Sequence, residues 1–296
     1  MLHVACAADR RYAAHSAAMV HSLLEPRQPG TTTVHYLHSS SFPRAVARDL
    51  GSMVSGLGGK LNLLAVDERR IAGLPRTPDI SHAMWYRTLL PEMLPDVPRV
   101  LYLDVDVIVI DSLDPLWETD LDGCFLAAVT NVLEDRHLSR PVQLGLAGPT
   151  DYFNSGVLLM NLELMREESA TARLHAFARE HQAELLWPDQ DALNVVLGDR
   201  RRHLAPRWNF MSAALLFPSA AEMFTAAELE EARRRPAIRH FEGPQIDKPW
   251  HYLCEHEMRE LYAQHRAATP WPRFRPAGRT PGRVLHRFLR QRRVGR

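Results

Sequence analysis

Short runs of aliphatic and β-branched residues alternate with stretches of helical periodicity, and this alternation restricts the fold more than any other feature of the chain. The predicted strands are LHVACAA (2–8), TVHYL (33–37), LNLLAV (61–66), VLYLDVDVIVI (100–110), FLAAVT (125–130) and GVLLMN (156–161). Helical patterns cover residues 12–23, 43–50, 83–94, 170–184 and 190–197. Such alternation is typical of parallel strands with helices on both faces. We therefore predict an α/β fold built on an open, mixed, mostly parallel sheet.

The C-terminal residues differ in charge from the rest of the chain. From Pro270 onward, nine arginines and no acidic residue give 27 residues a net charge of +9, whereas the preceding residues hold 27 basic and 35 acidic side chains, a net charge of −8. One side of a helix drawn through this segment carries Val284, Leu285, Phe288 and Leu289. Basic amphipathic segments of this kind bind anionic membrane surfaces. We predict one domain over residues 1–265 and a membrane-attaching tail over residues 266–296, with a solvated terminus and a nucleic-acid-binding arm as the alternatives.

Composition and cysteine usage predict a cytoplasmic protein. At 296 residues, with 46% hydrophobic and 24% charged, the chain resembles an ordinary soluble globular protein. The opening MLHVACAA lacks the basic start of a signal peptide, and no apolar run approaches the ~20 residues of a membrane span. Cys6, Cys124 and Cys254 lie far apart without metal-ligand spacing, which fits reduced thiols. We expect the protein in the cytoplasm, with the tail at the inner face of the membrane and no nucleic acid as partner.

The predicted strand over residues 100–110 carries two aspartates, Asp104 and Asp106, one residue apart. On an extended chain such side chains project from the same face, so the two carboxylates would repel each other. Unless a positive group lies between them, one should hold a proton with a raised pKa. A divalent cation, which prefers carboxylate oxygen, is the simplest explanation. The alternative is that the strand ends at Leu103 and that both aspartates are ordinary turn residues.

Polar residues also follow other predicted strands. In open α/β sheets, ligands bind beyond the carboxyl ends of the strands. Ala8 and Asp9 follow the first strand, and Asn131 follows FLAAVT. We therefore expect these residues, together with Asp104 and Asp106, to carry the chemistry of the protein.

Five motifs in order resemble glycosyltransferase family 8, which includes glycogenin and the bacterial lipopolysaccharide α-galactosyltransferases and α-glucosyltransferases. They are AADRRYA (7–13), YLDVDVIV (102–109), FNSGVLLMN (153–161), PDQDALN (188–194) and HFEGPQIDKPW (240–250). DSLDPLWETDL (111–121) and the basic tail match the lipopolysaccharide branch. The resemblance implies a Rossmann-like fold of GT-A type. It also implies a retaining hexosyltransferase that moves galactose or glucose from a UDP-sugar to a glycan or glycolipid acceptor and uses Mn²⁺ or Mg²⁺.

The resemblance implies a metal site and a diphosphate site. The metal ligands would be Asp104, Asp106 and His240, and an imidazole suits manganese better than magnesium. Lys248, one of two lysines against 34 arginines, matches the lysine that binds the diphosphate. Gly243 would let the backbone approach the phosphates. The family more often spaces this stretch as H-x-x-G-x-x-K, and this chain has two extra residues between the glycine and the lysine.

The resemblance also assigns contacts to the rest of the donor. The nucleotide contacts would be Ala8, Asp9, Arg11, Tyr12 and Val105. An aspartate can accept the uracil imide N–H, and a tyrosine ring can stack on the base. The donor-sugar contacts would be Arg87, Asn131, Asn154, Asp189 and Gln190. Two positions depart from the lipopolysaccharide enzymes, since Arg11 stands where asparagine is common and Asn131 where the galactosyltransferases have aspartate.

Retention of configuration can arise in two ways. A double displacement needs a carboxylate nucleophile beneath the anomeric carbon. The matching position of the family is Gln190, and an amide is a poor nucleophile. We therefore predict front-face attack, in which the departing phosphate takes the proton of the acceptor and Gln190, Asp189 and Lys248 act as the catalytic residues.

Two other functions fit parts of this pattern. Haloacid-dehalogenase-like phosphatases also use an apolar strand that ends in D-x-D, but their motif normally opens the fold, whereas here predicted strands precede it. A sugar-nucleotide-binding module with weak or lost transfer activity is the non-enzyme alternative, and the departures at Arg11, Asn131 and the Gly243–Lys248 loop favour it.

Overall fold

Two β-sheets organise the chain in the computed structural model, which describes residues 1–77, 81–273 and 275–284. The strands are β1 Leu2–Ala7, β2 Thr32–Ser39, β3 Lys60–Val66, β4 Arg99–Leu103, β5 Val107–Val109, β6 Leu126–Thr130, β7 Phe153–Asn161, β8 Arg201–His203, β9 Phe210–Met211 and β10 Ile238–His240. The larger sheet has the order β3-β2-β1-β4-β7-β6-β8, and the smaller sheet has the order β5-β10-β9. Neighbouring strands of the larger sheet are parallel except that β7 runs antiparallel to β4 and β6. The predicted mixed, mostly parallel α/β sheet is confirmed.

Helices of varied length connect the strands. They are α1 Ala13–Leu24, α2 Arg44–Gly56, α3 Leu90–Met93, α4 Asp114–Trp117, α5 Arg140–Gln143, α6 Leu162–Glu167, α7 Ala170–Glu180, α8 Pro188–Leu197, α9 Ala213–Leu216, α10 Ala220–Met223, α11 Ala226–Arg234 and α12 Arg259–Ala267. Short 3₁₀ turns cover Glu68–Ile71, His82–Leu89, Asp135–His137, Pro149–Asp151, Gly198–Arg200, Pro206–Asn209 and Gln245–Asp247. The helix predicted over residues 83–94 is wrong in type, since most of it is 3₁₀. Pro91 lies in the first turn of α3, where the missing N–H costs no helical hydrogen bond, so the α-helical part begins only at Leu90.

Helices cover both faces of the larger sheet. Successive residues of β4 belong to different apolar clusters. Leu101 packs in the cluster that contains Val20 of α1. Tyr102 packs in the cluster that contains Leu174 of α7 and Leu193 of α8. Each of these side chains is buried. Side chains of successive strand residues point to opposite faces, so the two clusters are two core layers with the sheet between them.

The segment 100–110 forms two strands rather than one. β4 ends at Leu103, a turn holds both aspartates, and β5 pairs with β10 in the smaller sheet. The single long strand predicted from the apolar run is therefore wrong, and the alternative that placed its end at Leu103 is right about the strand. Aspartate is disfavoured inside strands, which fits a break at the two carboxylates.

The first part of the predicted tail contacts the rest of the chain. α12 packs on α1, where Nδ1 of His265 lies 3.0 Å from Nδ1 of His21. Trp271 packs against the apolar cluster of α1, and Ala277 pairs with His251. The predicted boundary after residue 265 falls inside α12. Of the predicted apolar side of the tail, Leu285, Phe288 and Leu289 lie outside the described residues. Among residues that are described, no helix has the length and apolar character to span a bilayer.

Candidate functional site

The antiparallel direction of β7 brings its first residues to the carboxyl ends of β4 and β6. The backbone N–H of Asp104 donates to the carbonyl of Gly156 over 2.8 Å, and that of Asn131 donates to the carbonyl of Tyr152 over 2.8 Å. Asn154, which precedes Gly156 by two residues, donates from Nδ2 to Oδ1 of Asn131 over 3.3 Å. Residues that are far apart in sequence therefore share one edge of the sheet, as the rule for open α/β sheets predicts.

The smaller sheet brings His240 to the aspartates. β10 runs antiparallel to β5, so His240 lies opposite Val107 and the N–H of Phe241 donates to the carbonyl of Asp106 over 3.0 Å. Nε2 of His240 lies 3.4 Å from Oδ1 of Asp106. One ligand atom each from Asp104, Asp106 and His240 lies within 4.8 Å of the other two. The turn between β4 and β5 lets both carboxylates face the ring.

Basic side chains compensate both carboxylates. Asp104 Oδ1 accepts hydrogen bonds from Arg87 Nη2 and from the Tyr102 hydroxyl, each over 3.0 Å. Asp106 Oδ2 accepts a hydrogen bond from Lys248 Nζ over 2.5 Å. Burial by itself raises the pKa of Asp106, but the ammonium of Lys248, joined by the ring of His240 when that ring is protonated, outweighs burial and holds the pKa well below its ordinary value. The same attraction raises the pKa of Lys248 despite its burial.

Arg87 links Asp104 to Asp189. Its guanidinium is buried and lies over the ring of Tyr102, with Nη2 on Asp104. Nε lies 3.2 Å from Asp189 Oδ2 but donates to the carbonyl of Met84 instead. Within residues 1–77, 81–273 and 275–284, Asp189 Oδ2 accepts no hydrogen bond. Burial raises the pKa of Asp189 to about 6, against the opposing charge of Arg87. This carboxylate has an oxygen with capacity for a donor such as a sugar hydroxyl.

The first turn of α8 holds Gln190 and Asp191 in different ways. Gln190 Oε1 accepts the backbone N–H of Ser155 over 2.9 Å, and its Nε2 donates to the hydroxyl of Tyr152 over 3.1 Å. Asp191 is completely buried and accepts bonds from Arg140 Nη2 and the Tyr152 hydroxyl, each over 2.5 Å. The N–H groups of residues 186 and 187 complete its shell. Asp191 is therefore a structural anchor of α8, and Gln190 is fixed against β7.

Residues assigned to the nucleotide lie around the end of β1. Ala8 is buried, and Asp9 Oδ1 accepts the N–H of Arg11 over 2.7 Å, while Oδ2 accepts bonds from Ser81 Oγ over 2.9 Å and from Arg11 Nη2 over 3.1 Å. Tyr12 packs edge-on against Trp250 with ring centroids 5.9 Å apart. Arg11 therefore pairs with the carboxylate that the resemblance assigns to the base.

The Gly243–Lys248 loop lies across this region. Gly243 has a φ of +92°, a conformation that residues with a Cβ rarely adopt. From there the loop reaches Tyr12, whose hydroxyl accepts a bond from Gln245 Nε2 over 2.8 Å, and ends with Lys248 on Asp106. The two extra residues are accommodated as a 3₁₀ turn over Gln245–Asp247. Val105, partly buried, packs against the neighbouring apolar cluster.

Two surface cavities lie elsewhere. One, of about 310 Å³, is lined by residues 136, 137, 139, 140, 143 and 183–186. The other, of about 340 Å³, is lined by residues 98, 99, 120–123, 161, 163, 164 and 167. Neither contains a residue predicted for the site, so we place the candidate site by side-chain chemistry rather than by cavity shape.

Sequence reasoning missed two residues that contact His240. Asn209 is completely buried, and its Oδ1 lies 2.8 Å from Nδ1 of His240. Gly156 leaves no room for a side chain, because a Cβ there would lie 2.3 Å from Cε1 of His240 and 2.9 Å from Oδ2 of Asp104. Gly156 belongs to the FNSGVLLMN motif, so the sequence did contain a pattern from which its place in the site could have been predicted. Asn209 precedes a two-residue strand, and no pattern in the sequence marks it.

We expect Gly156→Ala to displace the ring of His240 and to lower the free energy of unfolding by about 1–3 kcal/mol, the usual cost of overpacking a buried site. Urea denaturation of the metal-free protein measures this loss. Gly51→Ala is the matched control, because a Cβ there meets only Leu61 at 3.9 Å and alanine favours a helix. Equal stability of the two variants would contradict the prediction.

Comparisons with known proteins agree with this architecture. The model of the family described as glycosyl transferase family 8 matches residues 3–254. General stress protein A of Bacillus subtilis (strain 168) is 28% identical over 276 residues, which cover 92% of this chain and 95% of that protein. Lipopolysaccharide glucosyltransferase WaaO of Escherichia coli (strain K12) is 27% identical over 223 residues, 72% of this chain and 62% of WaaO. The crystal structure of the galactosyltransferase LgtC with donor and acceptor sugar analogues superposes with a TM-score of 0.80 at 28% identity, covering 91% of this chain and 96% of LgtC.

Proposed function

Because this chain belongs to glycosyltransferase family 8, a family of hexosyltransferases that use nucleotide sugars, we propose that it is a retaining, metal-dependent enzyme that moves galactose or glucose from a UDP-sugar to a glycan or glycolipid. The observation that carries the proposal is the convergence of Asp104, Asp106 and His240 at the edge of the sheet. The two aspartates lie in the turn that links the sheets and His240 lies in the smaller sheet, so the cluster forms only when the smaller sheet pairs β10 with β5.

The donor set fits a divalent cation. Two carboxylate oxygens and one imidazole nitrogen suit Mn²⁺, and they would also hold Mg²⁺ less well. When bound, such an ion neutralises charge on the diphosphate that leaves with the nucleotide. We propose Mn²⁺ as the preferred ion, held by Asp104, Asp106 and His240.

Lys248 supports the proposed position of the diphosphate. Its ammonium is largely buried and lies against Asp106. The ammonium also donates to the backbone carbonyl of Phe241 over 3.0 Å, which fixes the direction of the side chain. A leaving diphosphate beside Asp106 would meet this positive charge, which stabilises the departing group. We propose Asp9 and Tyr12 as the contacts to the base. Arg11, which donates to Asp9, would orient the carboxylate of Asp9.

Gln190 supports front-face attack. An amide is a poor nucleophile, and its carbonyl oxygen is engaged by the N–H of Ser155. We propose that Gln190 orients and stabilises the sugar, that Asp189 accepts a donor-sugar hydroxyl, and that Arg87 and Asn154 line the same pocket with Asn131. The bond from the anomeric carbon to the phosphate breaks, the acceptor oxygen bonds to the same face, and the acceptor proton passes to the departing phosphate.

A thermal-shift screen of nucleotide sugars with and without Mn²⁺ tests the proposal. A ligand at a hundred times its Kd stabilises a protein by about 2.7 kcal/mol, which raises the Tm of a chain of this size by roughly 4 °C. We expect this shift with UDP-galactose or UDP-glucose plus Mn²⁺, and the product anomer read by NMR should match that of the donor. No shift with any nucleotide sugar would contradict the proposal.

The binding-module alternative is distinguished in the same assay. Arg11 donates to the carboxylate of Asp9, which would compete with the nucleotide base for that group. The second candidate function is therefore weak donor binding with hydrolysis of the donor and no transfer. Donor hydrolysis without transfer to any cell-envelope glycan would favour it. Family membership excludes the phosphatase alternative.

We also propose that the residues from 266 onward attach the enzyme to an anionic membrane at its cytoplasmic face. The nine arginines beyond residue 269 carry this proposal. Sedimentation with phosphatidylglycerol vesicles should exceed sedimentation with phosphatidylcholine vesicles and should fall in high salt. Equal binding to both vesicle types would overturn it.

A further inference from the structure

A chain of buried amides connects β7 to the ring of His240. Asn154 Oδ1 accepts the backbone N–H of Gly156 over 3.0 Å. The same oxygen accepts a bond from Asn209 Nδ2 over 2.9 Å, and Asn209 Oδ1 lies 2.8 Å from Nδ1 of His240. Asn209 and His240 are at most 2% exposed, and Asn154 is 7% exposed. The contacts are therefore shielded from water, which could otherwise replace them.

The backbone N–H of Gly156 fixes the donor and the acceptor of every hydrogen bond in this series. A backbone N–H can only donate, so the amide atom of Asn154 that faces Gly156 must be oxygen. Because two oxygens cannot hydrogen-bond to each other, Asn209 must present its NH₂ group to that oxygen. Its own oxygen then faces Nδ1 of His240, and Nδ1 must carry a proton to complete the bond.

The lone pair of the neutral ring is consequently on Nε2. This nitrogen is the one that faces the aspartates, 3.4 Å from Asp106 Oδ1. A metal ligand is oriented in this way by the hydrogen bond that its other nitrogen makes. The smaller sheet brings Asn209 next to His240. Asn209 is the last residue of a 3₁₀ turn that leads directly into β9, and β9 pairs with β10, the strand that contains His240.

We propose that Asn209 is a positioning residue that sets the tautomer of His240 through an amide relay from the N–H of Gly156. The inference rests on the proposed function insofar as His240 is a metal ligand. It adds that Asn209 and Gly156 determine metal affinity although neither contributes a ligand atom. The relay also passes through Asn154, so the metal site and the proposed sugar pocket share one hydrogen-bonded support.

NMR of the wild-type protein tests the tautomer without any variant. The full chain is labelled with ¹⁵N-histidine, kept metal-free at pH 8, and the His240 signals are assigned by their absence in His240→Gln. We expect a protonated Nδ1 and an unprotonated Nε2 in the long-range ¹H–¹⁵N spectrum. A proton on Nε2 would overturn the inference, even if the protein bound no Mn²⁺ and the proposed function failed.

Two substitutions test the positioning role by Mn²⁺ affinity, read from the EPR signal of free Mn²⁺. Asn209→Leu removes both hydrogen bonds and should weaken binding 10- to 100-fold, the usual effect of losing an outer-shell partner. Asn209→Asp keeps an acceptor toward Nδ1 of His240 but loses the bond to Asn154 Oδ1, so it should bind Mn²⁺ more tightly than Asn209→Leu and less tightly than wild type. Wild-type affinity in Asn209→Leu, or an equal loss in both variants, would overturn the inference.

A control separates positioning from stability. Asn194 is an equally buried amide that bonds to the backbone of Phe153 and Gln190 and does not contact His240. We expect Asn194→Leu to lower Tm while leaving Mn²⁺ affinity unchanged. If its affinity fell in step with its Tm, as in Asn209→Leu, a general structural effect would replace the relay.

Discussion

We expect Asp106→Asn to lower turnover in saturating Mn²⁺ by about a thousandfold. A Lewis acid supplies several kcal/mol to the departure of a charged group, and each 1.4 kcal/mol is a factor of ten in rate. Both His240 and Lys248 contact Asp106, so the substitution removes one proposed metal ligand and the ion-pair partner of Lys248, the proposed diphosphate contact. Steady-state kinetics with a UDP-sugar, together with Mn²⁺ titration by EPR, measures both consequences.

The same substitution should destabilise the metal-free protein. Removing one member of a buried ion pair leaves the other charge uncompensated and costs about 3–5 kcal/mol. The double variant Asp106→Asn with Lys248→Met removes both charges and should recover much of that stability without recovering activity. Asp114→Asn is the control, since its pair with Arg27 lies at the surface and is worth at most about 1 kcal/mol. Full activity of Asp106→Asn in chelator-treated protein would refute the metal role.

Much of the fold was predictable because its strands are strongly patterned. β1 and β6 are nearly continuous apolar runs, as strands buried on both faces must be, and β2 is a shorter apolar segment around Val34, Tyr36 and Leu37; the predicted strands lie within a few residues of all three. The end of β4 at Leu103 was one of two possibilities that the sequence allowed, but a second strand beyond the aspartates in a different sheet was not predictable, because the apolar pattern continues on both sides of Asp104 and Asp106. Only pairing with β10, more than a hundred residues away in sequence, decides where β5 belongs.

Some residues of the candidate site could likewise be predicted from the sequence, and others could not. Residues at strand ends, such as Asp104 and Asn131, follow from the general rule that ligands bind there. His240 was identified through the family motif, and local pattern alone would have left it one of 15 histidines. Asn209 could not be found, because its importance lies in which atoms it meets rather than in its neighbours along the chain. The roles proposed for all of these residues remain predictions.

We expect Asp189→Asn to stabilise the protein at pH 8 by about 3 kcal/mol. The pKa of Asp189 is raised to about 6 in the folded state against 3.8 for the ordinary side chain, and each unit of difference is about 1.4 kcal/mol. Burial disfavours the charged form, so stability from this group is fully present below pH 3.8 and is lost as the pH rises through 6. Asparagine is neutral throughout and avoids this loss.

The stabilisation should therefore develop as the pH rises from 3.8 to 6 and should be complete above that window. Urea denaturation of metal-free Asp189→Asn and wild type at pH 4, 6 and 8 should give a difference that grows with pH. Turnover should move the opposite way: because we propose that the ionised carboxylate of Asp189 accepts a donor-sugar hydroxyl, wild-type activity should fall as the pH drops through 6, while Asp189→Asn stays poorly active at every pH. Such opposition between stability and activity is expected where a buried charge serves function.

Asp191, two residues later on α8, gives the contrasting result. It is as deeply buried as Asp189, but four donors surround it, including Arg140 Nη2 over 2.5 Å and the Tyr152 hydroxyl over 2.5 Å. Asp191→Asn leaves the guanidinium of Arg140 without its anion and should cost about 3–5 kcal/mol at pH 8. The two substitutions in one helical turn should thus change the free energy of unfolding in opposite directions, because Asp191 is bonded by four donors of the fold whereas Oδ2 of Asp189 accepts no hydrogen bond from the described residues. If Asp189→Asn proved as destabilising as Asp191→Asn, Asp189 would be an anchor of α8 and its proposed contact to the sugar would be withdrawn.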